Sequence, residues 1–142
     1  MISVQTEDFS LQDEYQRLLK ASKSGAVVTF VGLVRDFGQA ADATFFLQHY
    51  PGMTESVLEK IELNAHKRWQ LLDTRIIHRV GELPINEQIV FVGVSSAHRK
   101  DAFAACEFMI DILKTEAPFW KKEGKHWVDA KGSDKSRAER WL

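Results

Sequence analysis

A proline that follows a helix-like stretch constrains the fold of this chain most. Apolar residues recur at helical spacing between Arg99 and Leu113, which predicts a buried helix over three turns. Pro118 removes the N–H that would bond to the carbonyl of Lys114, and it favours an extended conformation at Ala117. The helix is therefore expected to end near Lys114. The chain that leaves this end carries aromatic residues and further lysines.

Short strand patterns alternate with helix patterns along the rest of the chain. Runs of β-branched and aromatic residues predict four strands, and helical spacing predicts two more helices. The predicted strands span residues 26–31, 44–50, 75–80 and 88–94, and the predicted helices span 8–23, capped by Ser10, and 54–69, capped by Thr54. Gly124 predicts a short hairpin. These patterns favour an α+β fold, with helices packed on a mostly antiparallel sheet and a small additional β hairpin region.

Size and composition indicate one ordinary domain, residues 1–142. Hydrophobic residues make up 44% of the chain and charged residues 27%, and the formal net charge is −1. That charge argues against a generally basic nucleic-acid binder. No apolar leader and no membrane-length apolar stretch is present, so a cytoplasmic protein without a membrane partner is expected. The polar tail, residues 131–142, is expected to be mobile unless another part of the chain docks Trp141.

Three lysines gather around the turn expected at Pro118. Lys114 lies in the last helical turn, and Lys121 and Lys122 follow a Phe-Trp pair. On a nearly neutral chain, this local positive charge indicates a place that binds anions. Two simpler interpretations stay open. The helix dipole favours cations in the last turn, and a Lys-Lys pair is commonly solvated surface.

His98 and Arg99 form a second cationic pair. They lie where a strand leads into a helix, so unpaired backbone N–H groups and the positive end of the helix dipole should face the same point as their side chains. A phosphate or carboxylate would be well held there. Arg35 follows a buried strand and opens a glycine-containing loop, where binding residues often lie. Solvated surface side chains are the simpler alternative for all three residues.

The other histidines and the single cysteine indicate no metal or redox chemistry. His49, His66, His78 and His126 lack metal-ligand spacing and are interpreted as structural or exposed. Cys106 lies on the apolar face of its helix, where a buried thiol is usually inert. No P-loop, dinucleotide fingerprint or Ser-His-Asp order is present. No cofactor and no metal is therefore expected.

Five segments, in order, resemble one enzyme family, the large catalytic subunits of molybdopterin synthase. The resemblance spans nearly the whole chain, from about residue 25 to Trp141, and the five segments in this order are specific. The segments are GAVVTFVG (25–32) with Val34-Arg35, HYPGMTE (49–55), IHRVGEL (77–83), IVFVGVSSAHR (89–99) and LKTEAPFWKKE (113–123).

The resemblance implies an α/β hammerhead-type fold and a homodimer. It also implies a small ubiquitin-like sulfur-carrier subunit at each end, which makes a heterotetramer. The C-terminal Gly-Gly thiocarboxylate of the carrier would enter a pocket of the large subunit. Its sulfur would pass to cyclic pyranopterin monophosphate, and two transfers would form the dithiolene of molybdopterin.

The functional residues of the family fall on cationic positions already noted and on one carboxylate. They are Arg35, His98, Arg99, Lys114, Lys121 and Glu123, and Lys122 is added as a further substrate contact. Under this interpretation Lys114 is the group nearest the thiocarboxylate and a proton donor or acceptor, and Lys121 is a second proton-transfer or charge-stabilising group. The arginines and His98 would hold the phosphate.

The chain departs from a related enzyme at two positions. Leu33 stands where that enzyme has a lysine, and Lys131 stands where it has an arginine. Substrate contacts at these two positions are therefore not carried over.

Two other functions use the same residues. One is a nucleotide- or RNA-end-binding module, in which Phe119 or Trp120 would be a stacking surface. The other is a Schiff-base enzyme that acts alone on a carbonyl substrate, with Lys114 as nucleophile. A non-catalytic scaffold would leave the gathering of cations unexplained.

Overall fold

A computed structural model of the chain describes residues 1–38, 44–128 and 132–142. Within these ranges it contains eight strands in two sheets and four α-helices. The strands are β1 (Ile2–Gln5), β2 (Ala26–Leu33), β3 (Phe45–His49), β4 (Asp73–Arg79), β5 (Gly81–Leu83), β6 (Gln88–Ser96), β7 (Phe119–Glu123) and β8 (His126–Val128). The helices are α1 (Leu11–Leu18), α2 (Met53–Arg68), α3 (Arg99–Glu116) and α4 (Gly132–Glu139). None of these helices combines the length and the apolarity needed to cross a membrane.

The first sheet separates two apolar cores. Its strand order is β1-β4-β6-β2, with β1 parallel to β4 and the other neighbours antiparallel. Successive residues of a strand point to opposite faces. Ile76 and Val92 therefore pack in the core with α2 and α3, whereas Ile77 and Phe91 pack against Leu18 of α1 on the other face.

The second sheet, which carries the predicted hairpin, has the order β5-β3-β7-β8 and is antiparallel throughout. Gly124 turns β7 into β8 with a φ of 61°, a left-handed value that glycine adopts without strain. Phe45 and Leu47 of β3 form a small core with Val80 and Leu83. The α+β class and the additional hairpin region are confirmed, and the hairpin belongs to a four-stranded second sheet with β3 and β5.

Helix α3 runs two residues beyond its predicted end at Lys114. Ala117 is extended, with ψ of 134°, and its N–H still donates to the carbonyl of Leu113. Pro118 restricts only the residue before it and the bond to Lys114, so the two residues between remain helical. Phe103 of this helix is 62% exposed.

Helix α2 begins at a glycine. Gly52 is the N-cap residue, with φ of 85°, and its N–H donates to Glu55 Oε2 at 2.9 Å. Thr54 is already inside the helix, and its hydroxyl donates to the carbonyl of Tyr50 at 2.8 Å. The predicted Thr54 cap is therefore wrong, because the turn at Pro51-Gly52 starts the helix earlier.

Helix α1 is shorter than the predicted segment 8–23. Ser10 caps it as predicted, because its Oγ accepts from the Asp13 N–H at 3.3 Å. Leu19 is extended and ends the helix, and only a single 3₁₀ turn, Ala21–Lys23, follows.

The C-terminal segment packs against α2 and α3 through Trp141. Its ring makes edge contacts with Trp69 and Phe108, with ring centroids 5.7 and 5.5 Å away. Its Nε1–H donates to buried Asp111 at 2.7 Å, and Arg140 donates to the same carboxylate. The tail was expected to be mobile unless Trp141 docks, and Trp141 is docked in this way.

Replacing Trp141 by alanine should lower the free energy of unfolding by about 2 kcal/mol, because it removes the ring contacts and one donor to a buried carboxylate. The control is Trp127→Ala, since Trp127 is 59% exposed, and it should change stability by no more than about 0.5 kcal/mol. Urea denaturation measures both. Equal losses would show that Trp141 does not anchor this segment.

Candidate active site

A cavity of about 300 Å³ lies where the second sheet meets the end of α3 and the loop after β2. This volume is at the lower end of small-molecule pockets. Its wall combines apolar side chains with a few charged ones. The charged and titratable lining residues are Arg35, Asp36, His78, Lys114, Lys121 and Glu123, and the apolar ones include Phe30, Leu33, Val34, Phe37, Phe45, Leu47, Ile89, Val90, Leu113, Phe119 and Val128.

Two lysines reach this cavity from the two sides of the turn at Pro118. Lys114 is in the last turns of α3, next to buried Leu113. Lys121 is on β7, opposite Leu47 of β3, so both face the interior side of the second sheet. The end of α3 therefore determines how the two ammonium groups approach the same space.

Successive side chains of β7 point to opposite faces of the sheet, and this separates its other two charged residues, Lys122 and Glu123. Glu123 lies on the same face as Lys121 and lines the cavity. Lys122 points to the other face, where its Nζ lies 5.7 Å from the centre of the Trp127 ring. The geometry therefore gives no support to the predicted substrate contact of Lys122.

Arg35 is positioned by the residue before it. Val34 is buried, its N–H donates to the carbonyl of Glu87, and its carbonyl accepts from Asn86. These two bonds fix the start of the loop and leave the exposed Arg35 side chain at the cavity. Leu33, one of the two departures noted above, also lines the cavity; Lys131, the other, lies outside the described residues.

His98 and Arg99 lie at the opposite end of α3 from Lys114. At a rise of 1.5 Å per residue, the fifteen-residue step from Arg99 to Lys114 separates them by about 22 Å. Both residues are exposed, and His98 is the N-cap of α3 without capping it through its side chain. Within one chain, the structure therefore does not bring this pair to the cavity where Arg35, Lys114 and Lys121 meet.

His78 is a cavity residue that the sequence did not reveal. It was interpreted as structural or exposed, but it is only 7% exposed and lines the cavity beside both lysines. Burial lowers its pKa to about 4, and Coulomb interactions with Lys121, His49 and Lys114 act in the same direction. The ring is therefore neutral at physiological pH.

The buried cysteine offers no reactive sulfur. Burial, followed by the charge of Glu107, raises the pKa of the Cys106 thiol to about 12. Its S–H donates weakly to the carbonyl of Val92. The buried position predicted for Cys106 is confirmed. Across the described ranges, no three His, Cys, Asp or Glu side chains converge as a metal site would require.

The arrangement suits a ligand with anionic ends and an apolar or aromatic body. Arg35, Lys114 and Lys121 come from three separate segments and supply positive charge, whereas Glu123 supplies an acceptor. Apolar walls partly exclude water and strengthen these interactions. Such a site can hold an anion and move protons beside it.

Comparison with known proteins bears directly on this site. Residues 4–116 match the family model described as MoaE protein. The chain belongs to the MoaE family. The match covers most of the chain and confirms the resemblance found in the sequence.

Relatives of MoaE type share both sequence and fold with this chain. The molybdopterin synthase catalytic subunit of Vibrio cholerae is 53% identical over 99% of this chain and 97% of its own length. The molybdopterin biosynthesis MoaE protein of Burkholderia ambifaria is 50% identical and superposes with a TM-score of 0.84, covering 99% of this chain and 96% of its own.

A more distant structure has the same fold. It is the complex of subunits 1 and 2 of molybdopterin-converting factor from Helicobacter pylori, 22% identical, with a TM-score of 0.74 over 92% of this chain and 90% of its own. Nothing in these comparisons favours the nucleotide- or RNA-end-binding alternative.

The low pKa of His78 predicts acid sensitivity. The unfolded chain binds a proton near pH 6.5, whereas the folded chain binds it near pH 4. The stabilisation is therefore complete above about pH 6.5 and is lost as the pH falls through about 4. When the pH is lowered from 7 to about 4.5, the free energy of unfolding of wild type should therefore fall by about 2 kcal/mol because of His78 alone.

His78→Phe should lack this component, and urea denaturation at the two pH values measures the difference. Other acid-titrating groups, such as Asp8, whose pKa is lowered chiefly by its hydrogen bond with Gln88, are common to both proteins and cancel. An identical pH dependence in the two proteins would show that His78 is not buried in its neutral form.

Proposed function

We propose that this chain is the catalytic subunit of a molybdopterin synthase. It transfers sulfur from the C-terminal thiocarboxylate of a small ubiquitin-like carrier subunit to cyclic pyranopterin monophosphate, and two transfers form the molybdopterin dithiolene. One observation carries the proposal: in a chain of the MoaE family, Arg35, Lys114 and Lys121 converge on one cavity from three separate segments.

The charges of the cavity fit both reactants. A thiocarboxylate and a phosphate are anions, and a nearly neutral protein holds them only where cations are concentrated. Lys114 lies at the reacting centre as proton donor or acceptor, and Lys121 stabilises charge or transfers a second proton. Arg35 holds the phosphate, and Glu123 accepts from N–H groups of the pterin.

The sulfur must arrive from outside this chain. Cys106 is buried and protonated, so no thiol of this chain takes up sulfur. A carrier tail that ends in Gly-Gly is narrow enough to enter a small cavity, because it has no side chains at its end. The structural neighbour solved as a complex of two subunits supports such a partner. The predicted cytoplasmic location stays a prediction.

A second copy of the chain supplies His98 and Arg99 in this proposal. Both are exposed and too far from Lys114 along α3 to act in the same chain's cavity. Phe103, one helical turn after Arg99, is largely exposed on the same face of α3. An exposed aromatic ring beside a cation suits an interface between subunits, so the proposed assembly is a homodimer with one carrier at each end.

Lys114→Ala should abolish product formation when thiocarboxylated carrier and pterin substrate are supplied, with a loss of about 10³-fold in rate. Lys114→Arg should also fail, because a guanidinium keeps its proton. Lys67→Ala is the matched control, since Lys67 is an exposed lysine in the last turn of α2, and it should retain wild-type activity. Molybdopterin formation measures all three variants.

A near-normal rate for Lys114→Ala would rule out this role of the lysine. A borohydride-trapped adduct between Lys114 and the substrate, formed without any carrier, would instead favour a Schiff-base enzyme that acts alone.

Mixing two inactive variants tests whether the site is shared. Arg99→Ala and Lys114→Ala homodimers should each be inactive. If each cavity takes Arg99 from one subunit and Lys114 from the other, subunit exchange produces heterodimers with one intact site, and activity should recover to about a quarter of wild type. Activity assays after refolding the mixture measure this. No recovery, with exchange verified by mass spectrometry, would place both residues in the same chain's site.

A further inference from the structure

His78 makes two contacts that fix its ring beside the cavity. Its Nδ1 lies 2.9 Å from the backbone carbonyl oxygen of Arg79. Because a carbonyl oxygen can only accept, Nδ1 carries the proton, and the neutral ring keeps Nε2 as an acceptor. The ring also stacks on Phe119, with centroids 4.1 Å apart and an interplanar angle of 27°.

Phe119 lies between the two lysines along the chain. It is the first residue of β7, directly after Pro118, and its N–H donates to the carbonyl of Ala117 at 2.9 Å. Phe119 therefore lies where the end of α3 meets β7. The stack with His78 links this short connection to β4 of the first sheet.

The charged and titratable groups around His78 come from three elements. Lys114 faces it from α3, Lys121 from β7 and His49 from β3, whereas its partners in the first sheet, Val4 and Val90, are apolar. The Nδ1 of His49 lies 3.9 Å from Glu55. The Coulomb interactions of His78 with these three groups all oppose a proton on its ring.

We propose that His78 is a positioning residue for sulfur transfer: its ring, stacked on Phe119, sets the approach of Lys114 and Lys121 to the cavity and adds no positive charge there. This inference rests on the proposed function. In the proposed function Lys114 and Lys121 act at the reacting groups, and small displacements of such groups cost large factors in rate. If the ring were protonated, it would be a third cation beside the two lysines, and its burial would cost free energy.

Paired substitutions separate the ring from the volume it fills. His78→Phe keeps a planar ring against Phe119, whereas His78→Leu keeps an apolar side chain of similar size without the ring. The turnover rate of His78→Leu should fall about tenfold with an unchanged KM for the carrier, and His78→Phe should remain within about threefold of wild type. The assay is molybdopterin formation with thiocarboxylated carrier.

The outcomes distinguish this inference from the proposed function. No product from wild type would overturn the proposed function itself. With an active wild type, a His78→Leu rate equal to wild type would overturn the positioning role alone. A His78→Phe rate as low as that of His78→Leu would also overturn it, because the ring stack would then not be what matters.

An NMR titration of the His78 ring tests the charge relation without any substrate and without the leucine variant. Wild type should show a pKa well below 6.5 for His78. Lys121→Ala should raise this pKa, because Lys121 has the largest Coulomb effect on it among the three groups. Lys67→Ala, a surface control, should leave it unchanged. A wild-type pKa at or above 6.5, or no change in Lys121→Ala, would overturn the inference.

Discussion

The turn at Pro118 is the constraint on which the site depends. It ends α3 at Glu116 and starts β7 only three residues later, so Lys114 and Lys121 reach one cavity from two different elements. A longer helix would carry the chain past the second sheet, and a longer loop would leave the two ammonium groups without a fixed relation. Lys114 and Lys121 belong to a helix and a strand, which hold side chains more rigidly than loops do.

Charge distribution explains how a chain of net charge −1 can serve anionic reactants. Outside the cavity, several cations form ion pairs with carboxylates. Examples are the buried pair of Arg75 with Glu14 and the contacts of Arg79 with two carboxylates. The cavity gathers three cations, Arg35, Lys114 and Lys121, and two lining carboxylates, Asp36 and Glu123. Local concentration of charge, and not net charge, is what the proposed reaction requires.

Sequence patterns predicted the elements that bury apolar faces and missed those that depend on distant partners. β6 and α3 were predicted closely, because their own residues carry the pattern. β1 has only four residues and exists through its pairing with β4. α4 has no strong apolar face of its own, and the docked Trp141 lies two residues after its end. Local charge and the family resemblance predicted that Arg35, Lys114 and Lys121 converge. The role proposed for His78 depends on its stack with Phe119, which is far along the chain, so no local spacing could predict it.

Lysine-selective acetylation, followed by mass spectrometry, tests most directly whether Lys114 and Lys121 share one cavity. The experiment is done with and without a carrier protein ending in Gly-Gly. If the tail enters between the two ammonium groups, Lys114 and Lys121 should both be protected when the carrier is bound, while Lys67 and Lys125, exposed and outside the cavity, should react as before. Equal modification of Lys114 and Lys121 in the free and the carrier-bound protein would contradict the account.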